Sequence, residues 1–373
     1  MPKRVVIIPG DDAAPEAMAP TLDLLKSLAL DIEFTEFPIG QDGVKQYGSR
    51  RDFHQALCRA IDQSDTTLFG STNGTTGGIS YLRWGKQTYA NVRPTRWLPG
   101  FQSPLKQPEG IDLVIVRENL EDLYMGIEGD LGVLSALPET SVTSYLTKKP
   151  LDTTPVGKFA IKVITVQATQ RVVRFACELA RKRKARGGRG LVTCTSKYNM
   201  LRSSDGLFRQ VAEETAREYP DIEYNQYIVD DFAHRLVANP SQFDVVVMPN
   251  LYGDLLSDAA AGTIGGLGLA PSGCYGESYA YFESAHGTAP DIAGRNIINP
   301  TATLLSAGLM LEYLGWQDVA DRLEAAIARV YAEGQVLTPD QGGSSSTTDF
   351  CRAVKDAVLD SERRPGRTTP ARQ

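Results

Sequence analysis

Short runs of aliphatic and β-branched residues recur between segments of helical length, and this alternation restricts the chain to few folds. The runs are Arg4–Ile8, Thr66–Phe69, Leu113–Val116, Ala160–Thr165, Leu191–Thr195, Tyr224–Val229 and Asp244–Met248. Runs without polar alternation suit strands buried on both faces, as in a parallel sheet covered by helices. Amphipathic segments at Ala14–Leu28, Phe53–Ile61, Ala168–Arg183, Gly206–Glu218, Asp231–Ala238 and Tyr252–Gly262 supply those helices. Beyond Pro300 the pattern changes to three helical stretches, Thr301–Leu314, Trp316–Glu333 and Thr347–Asp360, with little strand signal. The sequence therefore predicts an α/β protein. At 373 residues it exceeds one comfortable hydrophobic core, so two lobes are expected, the first completed by the C-terminal helices.

Charge narrows the range of partners. A net charge of −6 argues against nucleic acid, which calls for a basic surface. The one basic run, from Arg181 to Arg189, closes a predicted helix, where the dipole favours cations. No segment approaches the length of a membrane span, and the apolar run after Lys3-Arg4 is too short for a signal peptide. Five cysteines without a C-x-x-C pair fit reduced thiols and a cytoplasmic protein. The polar, proline-punctuated tail from Glu362 is expected to be disordered.

The candidate chemistry lies in two places. Asp254 and Asp258, four residues apart on a predicted helix, share one face and could share a hard cation; alone, such a pair is also the pattern of a solvated face. The stretch from His286 to Gly294, rich in glycine and proline, offers backbone donors and one acid to a nucleotide-like ligand. Arg83, Arg93 and Arg117 would form a carboxylate clamp if they converged, although each alone fits a surface position. Arg117, Lys197 and Asp230 each follow a predicted strand, where α/β sheets place their ligands.

These residues resemble a known family, the metal-dependent, β-decarboxylating 2-hydroxyacid dehydrogenases. The family acts on isocitrate, homoisocitrate, 3-isopropylmalate, D-malate and tartrate. The resemblance runs nearly end to end, through Gly10-Asp-Asp-Ala-Ala-Pro-Glu16, Tyr89-Ala-Asn-Val-Arg-Pro94, Val116-Arg-Glu-Asn119, Lys197-Tyr-Asn199, Asn250 to Asp258, Glu283 to Gly294 and Thr338 to Gly343. It implies an isopropylmalate-dehydrogenase-like fold, with residues 1–100 and 254–373 as the larger, cofactor-binding lobe and 101–253 as a smaller lobe carrying a dimer interface. It implies a homodimer with shared active sites, in which Arg83, Arg93 and Arg117 hold the malate carboxylates. Asp254, Asp258 and a partner-chain Asp230 would bind Mg²⁺ or Mn²⁺, and Tyr124 and a partner-chain Lys197 would be the acid/base pair. For the cofactor it implies His286, Gly287, Thr288, Ala289, Pro290, Asp291, Ile292 and Asn299, with Asp291 favouring NAD⁺ because an acid repels a 2′-phosphate.

The chain departs from the family pattern in three places. Asp12 and Ala14 stand where the family usually has glycine, and bulky Tyr198 follows Lys197 in place of a small residue. In the loop Asn73 to Tyr81, Gly77 and Ile79 occupy the positions of a serine and an asparagine in isocitrate enzymes. With Ile79 and Ser80 as its contact residues, this loop leaves the hydroxyls of Thr75, Thr76 and Ser80 and the glycine N–H groups as donors. The expected reaction is NAD-dependent oxidative decarboxylation of a 3-substituted malate whose substituent is small, neutral or hydroxylated. The alternatives are an isocitrate or homoisocitrate dehydrogenase, an enzyme for a phosphonate-bearing analogue, a non-catalytic regulatory subunit and, from another class, a metal-dependent hydrolase.

Overall fold

A computed structural model describes residues 1–38 and 40–363. The chain opens with β1 (Lys3–Ile8), α1 (Ala14–Ser27), β2 (Ile32–Glu36), α2 (Gly40–Tyr47), α3 (Arg50–Asp62) and β3 (Thr66–Phe69). After a one-turn π-helix at Tyr81–Gly85 come β4 (Ala90–Arg96) and β5 (Asp112–Glu118), then a small ribbon of β6 (Glu128–Asp130) and β7 (Lys158–Ala160). The middle of the chain continues as α4 (Val166–Ala185), β8 (Leu191–Ser196), α5 (Ser204–Ala216), β9 (Glu223–Ile228), α6 (Val229–Ala238), β10 (Val245–Met248) and α7 (Asn250–Ile264). It ends with β11 (Pro271–Tyr275), β12 (Ala280–Ser284), α8 (Thr301–Leu314), α9 (Gln317–Glu333) and α10 (Thr347–Arg363). Glu362 and Arg363 of the expected tail thus belong to α10, and 364–373 lie outside the described residues.

The α/β architecture is present as one ten-stranded sheet in the order β2-β1-β3-β12-β11-β4-β5-β10-β8-β9. β2, β1, β3 and β12 run parallel to one another, as do β5, β10, β8 and β9. Between the two blocks, β11 and β4 pair antiparallel with each other and with their outer neighbours, so the blocks point in opposite directions.

Even the all-apolar strands sort their side chains by parity, as the pleat requires. Val5 and Ile7 of β1 join one core with α1, α8, α9 and α10, whereas Val6 and Ile8 join another with Phe53, Leu57 and Ile61 of α3. Leu113 and Ile115 of β5 face the first core. Val114 and Val116 face a third, under α4 and α5.

Several elements differ from the sequence reading. The expected strand Ala160–Thr165 is only the end of β7, and Thr165 instead caps α4, its hydroxyl accepting the Ala168 N–H at 3.3 Å. Val229 belongs to α6. Strand β4 escaped notice because it holds two arginines and Pro94. The proline is tolerated because β11 pairs only with Ala90 to Val92, so Pro94 lies where β4 has β5 as its one neighbour. The basic run from Arg181 is largely tied down: Arg181 pairs with Asp221, Arg183 with Asp112 and Asp244, and Arg186 with Asp321. All five cysteines are free thiols, and no helix of the described residues is long and apolar enough to cross a membrane.

Glu118 closes β5 with a buried carboxylate that accepts the N–H groups of Leu120 and Glu121 at 3.0 and 2.7 Å. Burial outweighs these bonds and pushes its pKa up to about 7. The folded state therefore holds this proton more tightly than the unfolded chain, whose carboxyl ionises near its ordinary value of 4.5. Between those pH values the folded state binds more protons, so Glu118 lowers stability as pH rises through the window. Glu118→Gln is expected to be more stable than the parent at pH 8 by about 2 kcal/mol, with the difference shrinking toward pH 5, as measured by denaturant unfolding across that range.

Candidate active site

Helix α7 and the end of β5 build the centre of the site. Asn250, Asp254, Ser257 and Asp258 fall on one side of α7 by helical spacing. Arg117, the last residue but one of β5, is 1% exposed and reaches across to this side. Its Nε donates to Asn250 Oδ1 at 2.8 Å and its Nη1 to Asp254 Oδ1 at 2.5 Å. That approach demands a glycine at 253, because a Cβ there would lie 2.5 Å from Arg117 Cγ. Arg93 enters from β4, its Nη1 donating to Ser257 Oγ at 2.7 Å and to Asp258 Oδ1 at 3.0 Å. Its Nη2 stands 3.3 Å from Asp254 Oδ1. Tyr124, on the turn after β5, donates its hydroxyl to Asp254 Oδ2 at 2.6 Å and carries its ring 5.0 Å from the Arg117 guanidinium.

The pKa values of the two acids of α7 are shifted in opposite directions. Burial raises Asp254, but Arg117, the Tyr124 hydroxyl and Arg93 outweigh it, and its pKa is lowered. Asp258 has Arg93 as its main cation and Asp254 as a like charge nearby; burial prevails and its pKa is raised. Tyr124 is raised by burial and by its bond to Asp254, so the phenol keeps its proton. Arg117 is pushed down to about 10, first by burial and then by Arg93. An anion brought to these arginines would relieve that stress.

Two of the arginines keep a buried donor atom unpaired. Arg117 Nη2 and Arg83 Nε have no hydrogen-bond partner, although both are out of water. Arg83 sits on the π-helix and makes no ion pair with α7, but it is near enough for its charge to act on Arg117, Tyr124 and Asp254. The three arginines therefore do gather about one place.

Lys197 and Asp230 do not join this set of bonds. Each follows its strand, β8 and β9, and they pair with each other. Among the described residues neither bonds to Tyr124, Asp254, Asp258 or the arginines. Consistent with this, no three His, Cys, Asp or Glu side chains of the described chain gather into a group able to hold a metal ion. The oxygen-only pair Asp254 and Asp258 fits a hard cation but supplies only two of the three expected carboxylates. Tyr198 turns aside to lie under Arg209, whose guanidinium is 4.6 Å from its ring.

The expected nucleotide loop follows β12. His286 Nδ1 meets Gly287 O at 2.8 Å, while its Nε2 is buried without a partner, and burial lowers its pKa. Ala289 takes a left-handed conformation at φ 48°, and Pro290–Ile292 form a single 3-10 turn. Asp291 is exposed and has no hydrogen-bond or ion-pair partner among the described residues. Asn299 is buried, with its Nδ2 on Tyr331 and Asp340 and its Oδ1 on the Thr301 N–H.

The loop before Arg83 is fixed by a residue the sequence reading overlooked. The buried Asp11 accepts the Thr72 hydroxyl at 2.6 Å, the Asn73 N–H at 3.0 Å and both the N–H and the hydroxyl of Thr76. Thr76 is thereby removed from the expected donors. Ile79 packs on the core around Phe53 and Leu57, whereas Ser80 is exposed at the start of the π-helix. Glu16 acts alike on the other side, accepting the N–H groups of Gly294 and Asn296. The signal available was an acid on each side of the β1–α1 junction, inside a motif read only for its glycines.

A family model described as isocitrate/isopropylmalate dehydrogenase matches residues 4–358. The chain is 40% identical over 356 residues to the 3-isopropylmalate/3-methylmalate dehydrogenase of Methanocaldococcus jannaschii, covering 95% of this chain and 98% of that one. It is 39% identical to an NADP isocitrate dehydrogenase of Thermus thermophilus, over 94% of this chain and 67% of that one. The crystal structure of isocitrate dehydrogenase from Methylococcus capsulatus superposes with a TM-score of 0.78 at 32% identity, covering 95% of this chain and 99% of the other.

Gly253→Ala is expected to drive Arg117 off Asn250 and Asp254, leaving a buried guanidinium without its acids. The loss should be about 3 kcal/mol of stability, read by denaturant unfolding; a variant as stable as the parent would show that the close approach is dispensable.

Proposed function

The chain belongs to the isocitrate/isopropylmalate dehydrogenase family, and from that premise we propose that it oxidises and decarboxylates a 3-substituted malate, using NAD⁺ and Mg²⁺ or Mn²⁺. The observation that carries this reading is the gathering of Arg93, Arg117 and Tyr124 on the carboxylates of α7, with Arg117 Nη2 and Arg83 Nε buried and unpartnered. Such a site accepts an anion flanked by a cation. A bound nicotinamide would supply a hydride acceptor for C2 beside the His286–Ile292 loop, and a divalent ion held by Asp254 and Asp258 would supply Lewis acidity at the C2 oxygen.

The chain's own residues do the rest. Arg83, Arg93 and Arg117 orient the substrate carboxylates, with Arg93 and Arg117 turning from the α7 acids to the ligand. Asp254 and Asp258 are then free to hold the cation, and Asp230 of a second copy completes the set. Lys197 of that copy takes the C2 hydroxyl proton. Tyr124, kept protonated at neutral pH, delivers a proton to C3 as the carboxylate there leaves as CO₂. A homodimer with shared sites is supported by the Lys197–Asp230 pair, which among the described residues bonds to neither Tyr124 nor Asp254. Exposed Met125, Ile127, Val133, Leu137, Leu146 and Leu151 also mark one segment of the smaller lobe as an apolar surface.

NAD⁺ is favoured because Asp291 stands exposed and unneutralised, and would oppose a 2′-phosphate. The C3 substituent is small and neutral or hydroxylated. Around the 71–80 loop the remaining donors are Thr75, Ser80 and glycine N–H groups, and an unpaired carboxylate buried there is costly. The name of the Methanocaldococcus relative, with its isopropyl and methyl substituents, agrees with that class.

A panel of malate, tartrate, 3-methylmalate, 3-isopropylmalate and isocitrate, each with NAD⁺ and with NADP⁺, tests the proposal by absorbance of the reduced cofactor. NAD⁺ should be preferred, isocitrate should rank below the best neutral substrate in kcat/KM, and a chelator should abolish activity until Mg²⁺ or Mn²⁺ is restored. Isocitrate in first place would overturn the substrate reading, and full activity in chelator the metal. Lys197→Met and Tyr124→Phe should each reduce turnover by on the order of 10². Mixing the two inactive proteins after subunit exchange should restore part of the activity, and failure to do so would count against sites shared between chains.

A further inference from the structure

A buried ion cluster outside the site joins the two segments that carry the proton-transfer groups. Lys162, in the extended chain between β7 and α4, has 13% of its side chain exposed and points its ammonium between two acids that are wholly buried. Its Nζ is 2.7 Å from Asp205 Oδ1, 3.3 Å from Asp122 Oδ1 and 4.4 Å from the centre of the Tyr252 ring. Asp205 spends its other oxygen on the N–H of Lys197, at 2.7 Å. Asp122 spends its other oxygen on the N–H of Leu251 in the first turn of α7, at 3.0 Å, one helical turn before Asp254. Asp122 also stands two residues before Tyr124, with φ at 70°, a left-handed conformation that the surroundings must hold in place. Its own N–H is fastened to Val163 O, beside Lys162.

We propose that Lys162 is a positioning residue for both proton-transfer groups, and that through Asp122 and Asp205 it ties the turn of Tyr124 and the start of α7 to the backbone from which Lys197 projects. The proposal rests on the reading of Tyr124 and Lys197 given above. In the shared-site dimer those two residues of one chain serve different sites, so this cluster also links one site's acid to the other site's base. Two buried carboxylates around one cation make a poor stabiliser, because one negative charge stays uncompensated. What they add is direction: Asp205 bridges the ammonium to the Lys197 N–H, and Asp122 bridges it to the N–H groups of Leu123, beside Tyr124, and of Leu251.

Three variants and two readouts test this in the full-length protein. Lys162→Met, Asp205→Asn and Asp122→Asn are compared with the parent by amide hydrogen exchange, and by two partial reactions. These are single-turnover oxidation of 3-methylmalate with NAD⁺, and exchange of C3 protons of 2-oxobutanoate in D₂O. Lys162→Met should slow both partial reactions at least about tenfold per folded molecule with little change in KM, and should speed exchange of the Lys197 and Leu251 amides. Asp205→Asn should slow oxidation more than C3 exchange, and Asp122→Asn the reverse. A merely structural cluster would lower the melting temperature without that split. Rates within about twofold of the parent, or equal losses in both Asn variants, would overturn the proposal. Should Lys162→Met fail to fold, the two Asn variants decide. Should the parent oxidise no malate, the functional reading falls by itself, and unchanged exchange at Lys197 and Leu251 would separately remove the tie.

Discussion

The site depends on one carboxylate. Asp254 takes the Arg117 guanidinium on one oxygen and the Tyr124 hydroxyl on the other, with Arg93 close to the first. Each partner arrives from a different element: β5, the turn after it, and β4. An acid on the first turns of α7 therefore decides where three separate strands and loops present their polar ends. The pairing is also provisional in chemical character, since guanidinium groups that neutralise the acids of the chain itself are the same groups able to receive the acids of a ligand. Without a ligand the site is internally compensated, and the buried, unpartnered atoms on Arg117 and Arg83 show where compensation is incomplete.

Around that centre the loops are fastened by acids with purely local duties. Asp11 gathers the 72–76 loop, and Glu16 holds the turn at 294–296. The Ala13 N–H also bonds to Thr288 O at 3.0 Å. The β1–α1 junction thus touches both the loop implied to face the substrate and the loop implied to face the cofactor. Asp12 keeps a left-handed φ of 52°, a conformation that favours glycine, and accepts the Asn73 amide. Its carboxylate thereby anchors the neighbouring loop.

Much of this was legible beforehand because it is periodic or positional. The apolar runs marked most of the parallel strands, and charged residues at strand ends marked Arg117, Lys197 and Asp230. The spacing of Asp254 and Asp258 placed them on one helical face, where they are. Strands β2, β4, β11 and β12 were not legible: β2 carries three acids or threonines among five residues, β4 and β11 carry prolines or arginines, and β4 and β12 each also depend on a partner far along the chain. The state of Asn299 was likewise hidden: whether an amide is free or spent on Tyr331, Asp340 and Thr301 depends on three separate contacts. The same holds for Thr76, whose hydroxyl belongs to Asp11. Local pattern located the loops, but the sharing of hydrogen bonds between them is a tertiary fact.

The sheet's connectivity has a consequence for how the chain reaches this structure. One edge of β3 is covered by β1, but the other is filled by β12, and the Thr66 hydroxyl that bonds to Ala280 O does so across 214 residues. Strand β4 waits equally for β11. During synthesis the N-terminal block therefore stands with an open strand edge until residue 284 has emerged, while β5, β8, β9 and β10, pairing among themselves, can assemble first. The middle of the chain is placed to mature ahead of its beginning. The late-made hairpin of β11 and β12 is the keystone that closes the sheet, and until it arrives an unpaired apolar edge is exposed to the crowded interior in which the protein is made.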